Sequence, residues 1–195
     1  GGMIAIFIVG AYLVLASCCI TYMFSKVMKE RLEKEKLIYT SNTDELTRCL
    51  NRHAYENDMK KLNLSEEWVY ISVDLNGLKR ANDSYGHMAG DELICAAADC
   101  MRDSFHEYGK VYRIGGDEFA VLMVEMTTDL QYTIKKKIDS VNQQLSSPEK
   151  GIPKVSLSAG VAFSDRENPG ENIFEDADKA LYKVKGNGRN GCGFY

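Results

Sequence analysis

From Met3 to Phe24 the chain reads MIAIFIVGAYLVLASCCITYMF, apolar on every side of a helix and without one charged residue. About 20 such residues carry a helix across the hydrocarbon core of a bilayer, so residues 1–24 are expected to form a transmembrane helix, with Tyr12 and Tyr22 suited to the interfaces. Two other readings fit less well. A buried helix of a soluble domain rarely stays apolar all round. A cleaved leader has a shorter apolar part and basic residues before it. The pattern then changes. Residues 25–43 are rich in Lys and Glu, with Val27, Met28, Leu32, Leu37 and Ile38 as apolar positions. That suits an exposed helical linker with ion pairs one turn apart, and it is too short for a heptad assignment. Lys26, Lys29, Arg31, Lys34 and Lys36 follow the apolar run directly, which places the C-terminal part on the cytoplasmic side. The chain opens with Gly-Gly rather than Met, and a sensory region upstream is expected.

Beyond the linker the periodicity alternates between the two regular types. Thr43-Asp44-Glu45 offers a cap and early acids for a helix running to about Leu62. Trp68 to Asp74 (WVYISVD) is a β-rich apolar run, hence a buried strand. Ile94, Ala97, Met101 and Phe105 recur at helical spacing within 90–105. Lys110 to Ile114 and Phe119 to Val124 read as two strands of a hairpin separated only by Gly115, Gly116, Asp117 and Glu118. Leu130, Ile134, Ile138, Val141 and Leu145 mark one face of a helix. Val155, Leu157, Ala159, Val161 and Phe163 alternate as in a strand with one buried face. Ile173, Phe174, Ala177, Leu181 and Val184 mark a last helix, ended by Gly186 and Gly188, with a short strand to follow at 192–195. The core order is β-α-α-β-β-α-β, an α+β arrangement occupying residues 44–195.

Composition narrows the chemistry. The net charge of −4 provides no broad basic face, which argues against a nucleic-acid polymer as partner. It leaves room for a nucleotide, whose phosphates a metal ion and a few placed cations can neutralise locally. Cys18, Cys19, Cys49, Cys95, Cys100 and Cys192 form no CxxC pair and have no His cluster beside them, so neither a zinc site nor a disulfide framework is expected.

Asp74 closes an apolar strand, and Asp117 and Glu118 sit at the tip of a tight hairpin. If those strands pair, three carboxylates meet at one edge of a sheet. Like charges at close range oppose one another's ionisation. A hard divalent cation with oxygen ligands relieves that, and Mg²⁺ is the usual one beside phosphates. The plainer alternative is that the hairpin acids are solvated turn residues.

Four blocks of residues decide between the two. Arg113-Ile114-Gly115-Gly116-Asp117-Glu118-Phe119 contains a complete GGDEF signature. Asp74-Leu75-Asn76-Gly77-Leu78-Lys79 precedes it, followed by Asn82-Asp83, Gly86-His87 and Gly90-Asp91. Asp44-Glu45-Leu46-Thr47-Arg48-Cys49-Leu50-Asn51-Arg52 lies earlier still. Ala177-Asp178-Lys179-Ala180-Leu181-Tyr182 comes near the end, with Lys185, Gly188, Arg189 and Asn190. In this order the blocks resemble the GGDEF diguanylate cyclase family over about residues 40–195. One block alone would be weak; four in register are specific.

The resemblance implies an antiparallel central sheet flanked by helices, similar to the palm of nucleotidyl cyclases and polymerases, and a reaction that joins two GTP molecules into cyclic di-GMP. It implies that Asp74, the backbone carbonyl of Leu75 and Asp117 hold two Mg²⁺ ions per active site, with Mn²⁺ as a substitute. Glu118 lies beside them to tune the metals or assist proton removal. Lys79, Lys185 and Arg189 match phosphate contacts. Arg113 matches a residue that steadies charge at the reacting centre, with a structural ion pair as its alternative. Asn82 and Asp91 match the residues that read guanine; a carboxylate can accept from both N1 and N2 of that base. Asp91 also reads locally as an acid in the first turn of a helix. His87 is read as a structural or pocket-wall residue rather than a catalytic base, and His53 and His106 receive no role. Gly115 and Gly116 have a physical task besides: without side chains they let a triphosphate approach the hairpin backbone.

The match departs from the family in two places. Asn76 and Gly77 stand where many members have an Asp and an aromatic residue. The inhibitory R-x-x-D motif, which binds product in the family, falls on His106 and Gly109 here, so feedback through that site is expected to be absent. The resemblance further implies a homodimer in which each domain presents one GTP; the apolar run and the basic residues after it place that domain on the cytoplasmic face of the inner membrane, anchored by residues 3–24. The rival readings are a catalytically inactive GGDEF module that binds GTP and regulates a partner, and another nucleotidyl cyclase or transferase on the same palm.

Overall fold

The structure, a computed structural model, describes residues 1–62, 66–146 and 154–195. The chain divides into two compact units, residues 1–41 and 42–195. The first unit is helical: α1 runs unbroken through Gly2–Asn42. Large apolar side chains along it, Ile4, Leu13 and Phe24 among them, are exposed. By length and composition this helix can cross a membrane. In its polar half Arg31 and Glu35 pair at 3.0 Å, one turn apart.

The second unit is built on a five-stranded sheet. Its elements are α2 (Arg52–Lys61), β1 (Trp68–Asn76), α3 (Leu78–Tyr85), α4 (His87–Phe105), β2 (Lys110–Gly115), β3 (Glu118–Val124), α5 (Gln131–Ser146), β4 (Ser156–Phe163), α6 (Ile173–Gly186) and β5 (Gly191–Phe194). The strand order is β2-β3-β1-β4-β5. β1 is therefore central, and its near-continuous burial explains why it reads as an apolar run rather than an alternating one. One face of the sheet carries Val69, Ile71, Val73 and Leu75 of β1 against α4 and α5, where Leu93, Met101, Phe105 and Ile138 are fully or almost fully buried. The other carries Tyr70, Tyr112, Ala120 and Ala162 against Ala54 of α2 and Ala177 of α6. α6 presses close: a Cβ on Gly160 would lie 2.0 Å from the Ala177 carbonyl oxygen.

Two expectations need correction. The sheet is mixed rather than antiparallel. β1, β3, β2 and β4 pair antiparallel, but β5 runs parallel to β4. The cause is connectivity, since α6 separates β4 from β5 and a helical crossover returns the chain in the same direction. The helix expected from Thr43 also starts later. Residues 43–51 form a compact turn in which Thr43 and Leu50 bridge and Arg48 is left-handed at φ 60. Asp44 behaves as a cap there, accepting from the Thr47 amide at 2.9 Å and the Thr47 hydroxyl at 2.7 Å. The chain then turns to bury Cys49, and α2 begins after a second cap, Asn51, which accepts from Ala54 N at 3.0 Å.

Candidate active site

The central strand and the signature hairpin meet at the end of the sheet. Asp74 lies opposite Glu118 of β3 and Ser158 of β4. The Leu75 amide donates to the Asp117 carbonyl at 3.0 Å. Asp74, Leu75, Asp117 and Glu118 are thereby brought together, with Asp117 half-buried and Glu118 exposed. The hairpin is tighter than its sequence suggests. Gly115 pairs with Glu118, leaving Gly116 and Asp117 as the turn. Gly116 adopts φ 45, and a Cβ on either glycine would meet nothing within 4 Å. The space above the turn is open to a ligand.

Lys185 reaches from the last turn of α6 to Asp74, Nζ to Oδ2 at 2.6 Å. A cavity of about 370 Å³ joins Asp74, Glu118 and Lys185 to Tyr70, Asp178 and Tyr182. Asp178 and Tyr182 belong to the sequence block around Ala177, but no single-residue signal gave either a place in the site.

Among the described residues no three His, Cys, Asp or Glu side chains converge to hold a metal. A divalent ion beside a nucleotide needs less than that. It commonly takes one or two protein carboxylates and completes its shell with phosphate oxygens and water. Asp74 with its two acidic neighbours meets this smaller requirement. The Lys185 ammonium already rests on Asp74 as a stand-in cation. The donor set fits an ion that comes with a phosphorylated substrate.

Arg113 is engaged within the protein. Its Nε and Nη2 donate to the Gly116 carbonyl at 3.1 and 3.0 Å, and its Nη1 to Asp44 at 3.0 Å. Burial raises the Asp44 pKa, but the Thr47 hydroxyl and amide and the Arg113 guanidinium outweigh it and hold the carboxyl below its ordinary value. Arg113 thus fastens the hairpin turn to the turn at 43–50. This is the ion-pair arrangement weighed for it as an alternative.

Asn82 of α3 packs against Gly90 of α4. A Cβ on Gly90 would fall 1.8 Å from Asn82 Oδ1, and that oxygen is buried without a hydrogen-bond partner. Asp91 follows Gly90 directly and is exposed, as is His87 at the start of α4. Because α4 begins at His87, Asp91 lies beyond the first turn, which holds no acid.

Lys79 and Arg189 line a second cleft, of about 740 Å³, beyond the end of β1. Its wall includes Asn76, whose amide nitrogen donates to Ser156 and Ser158 hydroxyls at 3.0 Å each. Gly77, left-handed at φ 88, opens α3 with no side-chain cap. The amides of the first turn are consequently free of a side-chain acceptor, the usual condition of an anion-binding helix start. Sequence reasoning assigned nothing to Arg80, Lys154 or Ser156, which line the same cleft.

Residues 41–191 match the family described as "Diguanylate cyclase, GGDEF domain". Diguanylate cyclase DgcM of Escherichia coli is 30% identical over 167 residues, covering 83% of this chain and 40% of DgcM. Diguanylate cyclase DgcS of Shewanella oneidensis is 33% identical over 152 residues, covering 75% of this chain and 50% of DgcS. The chain spans half or less of the length of these relatives. Among solved structures, the coiled coil and GGDEF domain of DgcB from Caulobacter crescentus, in complex with c-di-GMP, superimposes with a TM-score of 0.74 at 22% identity, covering 92% of this chain and 98% of that one. The active GGEEF domain of a diguanylate cyclase from Vibrio cholerae gives 0.58 at 27% identity, covering 74% of this chain and 90% of that one.

Fold and hairpin define a mixed-sheet α+β domain with acids at the end of its central strand. With most of its length matched, the chain belongs to the GGDEF diguanylate cyclase family.

Proposed function

We propose that this chain is the catalytic end of a membrane-anchored diguanylate cyclase, joining two GTP molecules into cyclic di-GMP with release of two pyrophosphates. The observation that carries the reading is the register of the site. Asp74 faces Glu118 across paired strands, and Leu75 is hydrogen-bonded to Asp117, beside a cleft rich in cations.

In this reading Asn82 and Asp91 read guanine, and His87 forms part of the pocket wall. Lys79, Lys185 and Arg189 bind phosphates, which the bare backbone of Gly115 and Gly116 approaches closely. Asp74, Asp117, Glu118 and the Leu75 carbonyl would hold two Mg²⁺ ions, which lower the negative charge at the α-phosphate and on the departing pyrophosphate. Each 3′-hydroxyl attacks the α-phosphorus of the GTP held by a second copy of the domain. One O–P bond forms as the bond to pyrophosphate breaks, and the hydroxyl proton leaves toward Glu118 or water. Arg113 acts mainly by fixing the turn that carries Asp117. Residues 1–24 serve as the transmembrane anchor and 25–43 as a helical linker. The domain at 44–195 lies in the cytoplasm at the inner membrane.

The test is incubation of the full chain in detergent with GTP and Mg²⁺, then with GTP plus ATP, followed by mass spectrometry. Cyclic di-GMP from both mixtures, lost by roughly a hundredfold or more in Asp74→Asn, is expected. GTP binding without product would support the regulatory-module reading instead. A mixed adenine–guanine product would point to a different cyclase.

A further inference from the structure

The larger cleft carries more positive charge than the phosphate contacts implied by family resemblance. Lys79, Arg80, Lys154 and Arg189 line it, against a single carboxylate, Asp83. Among the described residues none of the four forms an ion pair. That is notable in a chain of net charge −4, where acids are plentiful. Unpaired like charges gathered around one cleft repel one another, and an anionic ligand relieves the repulsion.

The backbone around the cleft is held in an uncommon shape. Gly188, Arg189, Asn190 and Gly191 are four successive residues with positive φ, of 98, 61, 62 and 146. Arg189 in particular is held in a backbone region that a side chain other than Gly or Asn rarely adopts, and such strain collects at ligand sites. On the facing wall Gly77 is left-handed, and the first amides of α3 lack a side-chain acceptor.

Position along the strand says which part of an anion belongs here. Asp74 and Lys185 border the smaller cavity, and Asn76 and Gly77 border the larger. Two residues of strand carry the chain about 7 Å from Asp74 to Asn76, comparable to the run of a triphosphate chain.

We propose that Arg80 and Lys154 complete a site for the two terminal phosphates of GTP, the part that leaves as pyrophosphate. Together with Lys79 and Arg189 they set the preference for a nucleoside triphosphate over the monophosphate. This rests on the reading of the site as a GTP site. It adds two positioning residues from separate segments, Arg80 from α3 and Lys154 from the approach to β4.

The experiment is equilibrium binding to the full chain in detergent, wild type against Arg80→Gln, Lys154→Gln and the double variant. GTP, GMP and inorganic pyrophosphate are the ligands. Both side chains are exposed, so thermal unfolding is expected to be unchanged. The double variant is expected to bind GTP about tenfold more weakly, with a shallower salt dependence, from two exposed charge contacts. GMP binding should change less than twofold, and pyrophosphate should weaken about as much as GTP does. Unchanged GTP affinity in the double variant would overturn the proposal even if the wild type makes cyclic di-GMP. An equal loss for GMP would overturn it as well. Selective weakening toward GTP and pyrophosphate without any cyclic product would leave this site standing and remove the cyclase reading. A wild type that binds neither GTP nor pyrophosphate would remove both.

Discussion

Gly90 shows how one absent side chain shapes the meeting of two helices. The space its Cβ would need is filled by Asn82 Oδ1 at 1.8 Å, so the two helices meet by amide-to-backbone contact. Gly90→Ala gains helix propensity but forces Asn82 out of place. Net destabilisation of about 1–3 kcal/mol is expected from the overpacking, with the KM for GTP raised more than kcat is lowered. Thermal unfolding and steady-state kinetics on the same preparation check both; an unchanged KM would show that Asn82 does not touch the base. No hydropathy pattern announces such a position, because its meaning depends on a neighbour in another helix. Asp74, by contrast, was legible. An acid ending a run of buried β-branched and aromatic residues stands out in the sequence alone, and its partners Asp117 and Glu118 lay in the one hairpin the chain could form there.

At the scale of elements, the turn at 43–50 and the signature hairpin are fastened by Asp44 and Arg113, whose side chains are 24% and 14% exposed. Asp44 has a folded pKa below its ordinary 3.8. A depressed carboxylate adds stability that is fully present above the unfolded pKa and is lost as pH falls through the folded one. The gap in unfolding temperature between wild type and Asp44→Asn should therefore be widest near neutral pH and close below about pH 3.8. A gap independent of pH would show that Asp44 acts without its charge. The same turn reads as helix in the sequence because Thr43, Asp44 and Glu45 present the local signal of a helix start. Only the left-handed Arg48 and the burial of Cys49, both set by the rest of the fold, end it after one turn. The strand at β5 was expected, but its direction was not, for a related reason: four residues carry no mark of direction, and the crossover through α6 supplies it. Between α4 and β2, Gly109 bears on regulation. A Cβ there would lie 2.2 Å from the Leu122 carbonyl oxygen. Rebuilding the family's inhibitory motif by His106→Arg with Gly109→Asp is thus expected to lower the unfolding temperature rather than confer tight product inhibition. Submicromolar inhibition by cyclic di-GMP in that variant, with stability kept, would contradict this.

For the whole molecule, the cyclase reading requires two copies, since each holds one GTP and attacks the other. Turnover per chain should rise with protein concentration in detergent and level off as dimers form; a rate constant independent of concentration from nanomolar upward would exclude assembly during the assay. The α+β architecture was readable from the order of elements, because alternating strand and helix periods in residues 68–195 leave few topologies, whereas the parallel return of the chain through α6 to β5 was not. Nor was the cationic cleft. Arg80 and Lys154 are ordinary surface residues in sequence, far apart along the chain, and they acquire meaning only when α3 and the approach to β4 are brought to the same rim.

The place of β1 in the strand order gives the two sides of the site unequal mobility. Its amides are hydrogen-bonded between β3 and β4, so protons around Asp74 exchange with deuterium only when the sheet opens. The turn at Gly116 joins β3 to an edge strand, β2; it is held by the Leu75 amide and Arg113, fewer bonds than must break to open the centre. One wall is thus fixed and the other adjustable, and a bound nucleotide should slow exchange at the turn while leaving the strand as it was.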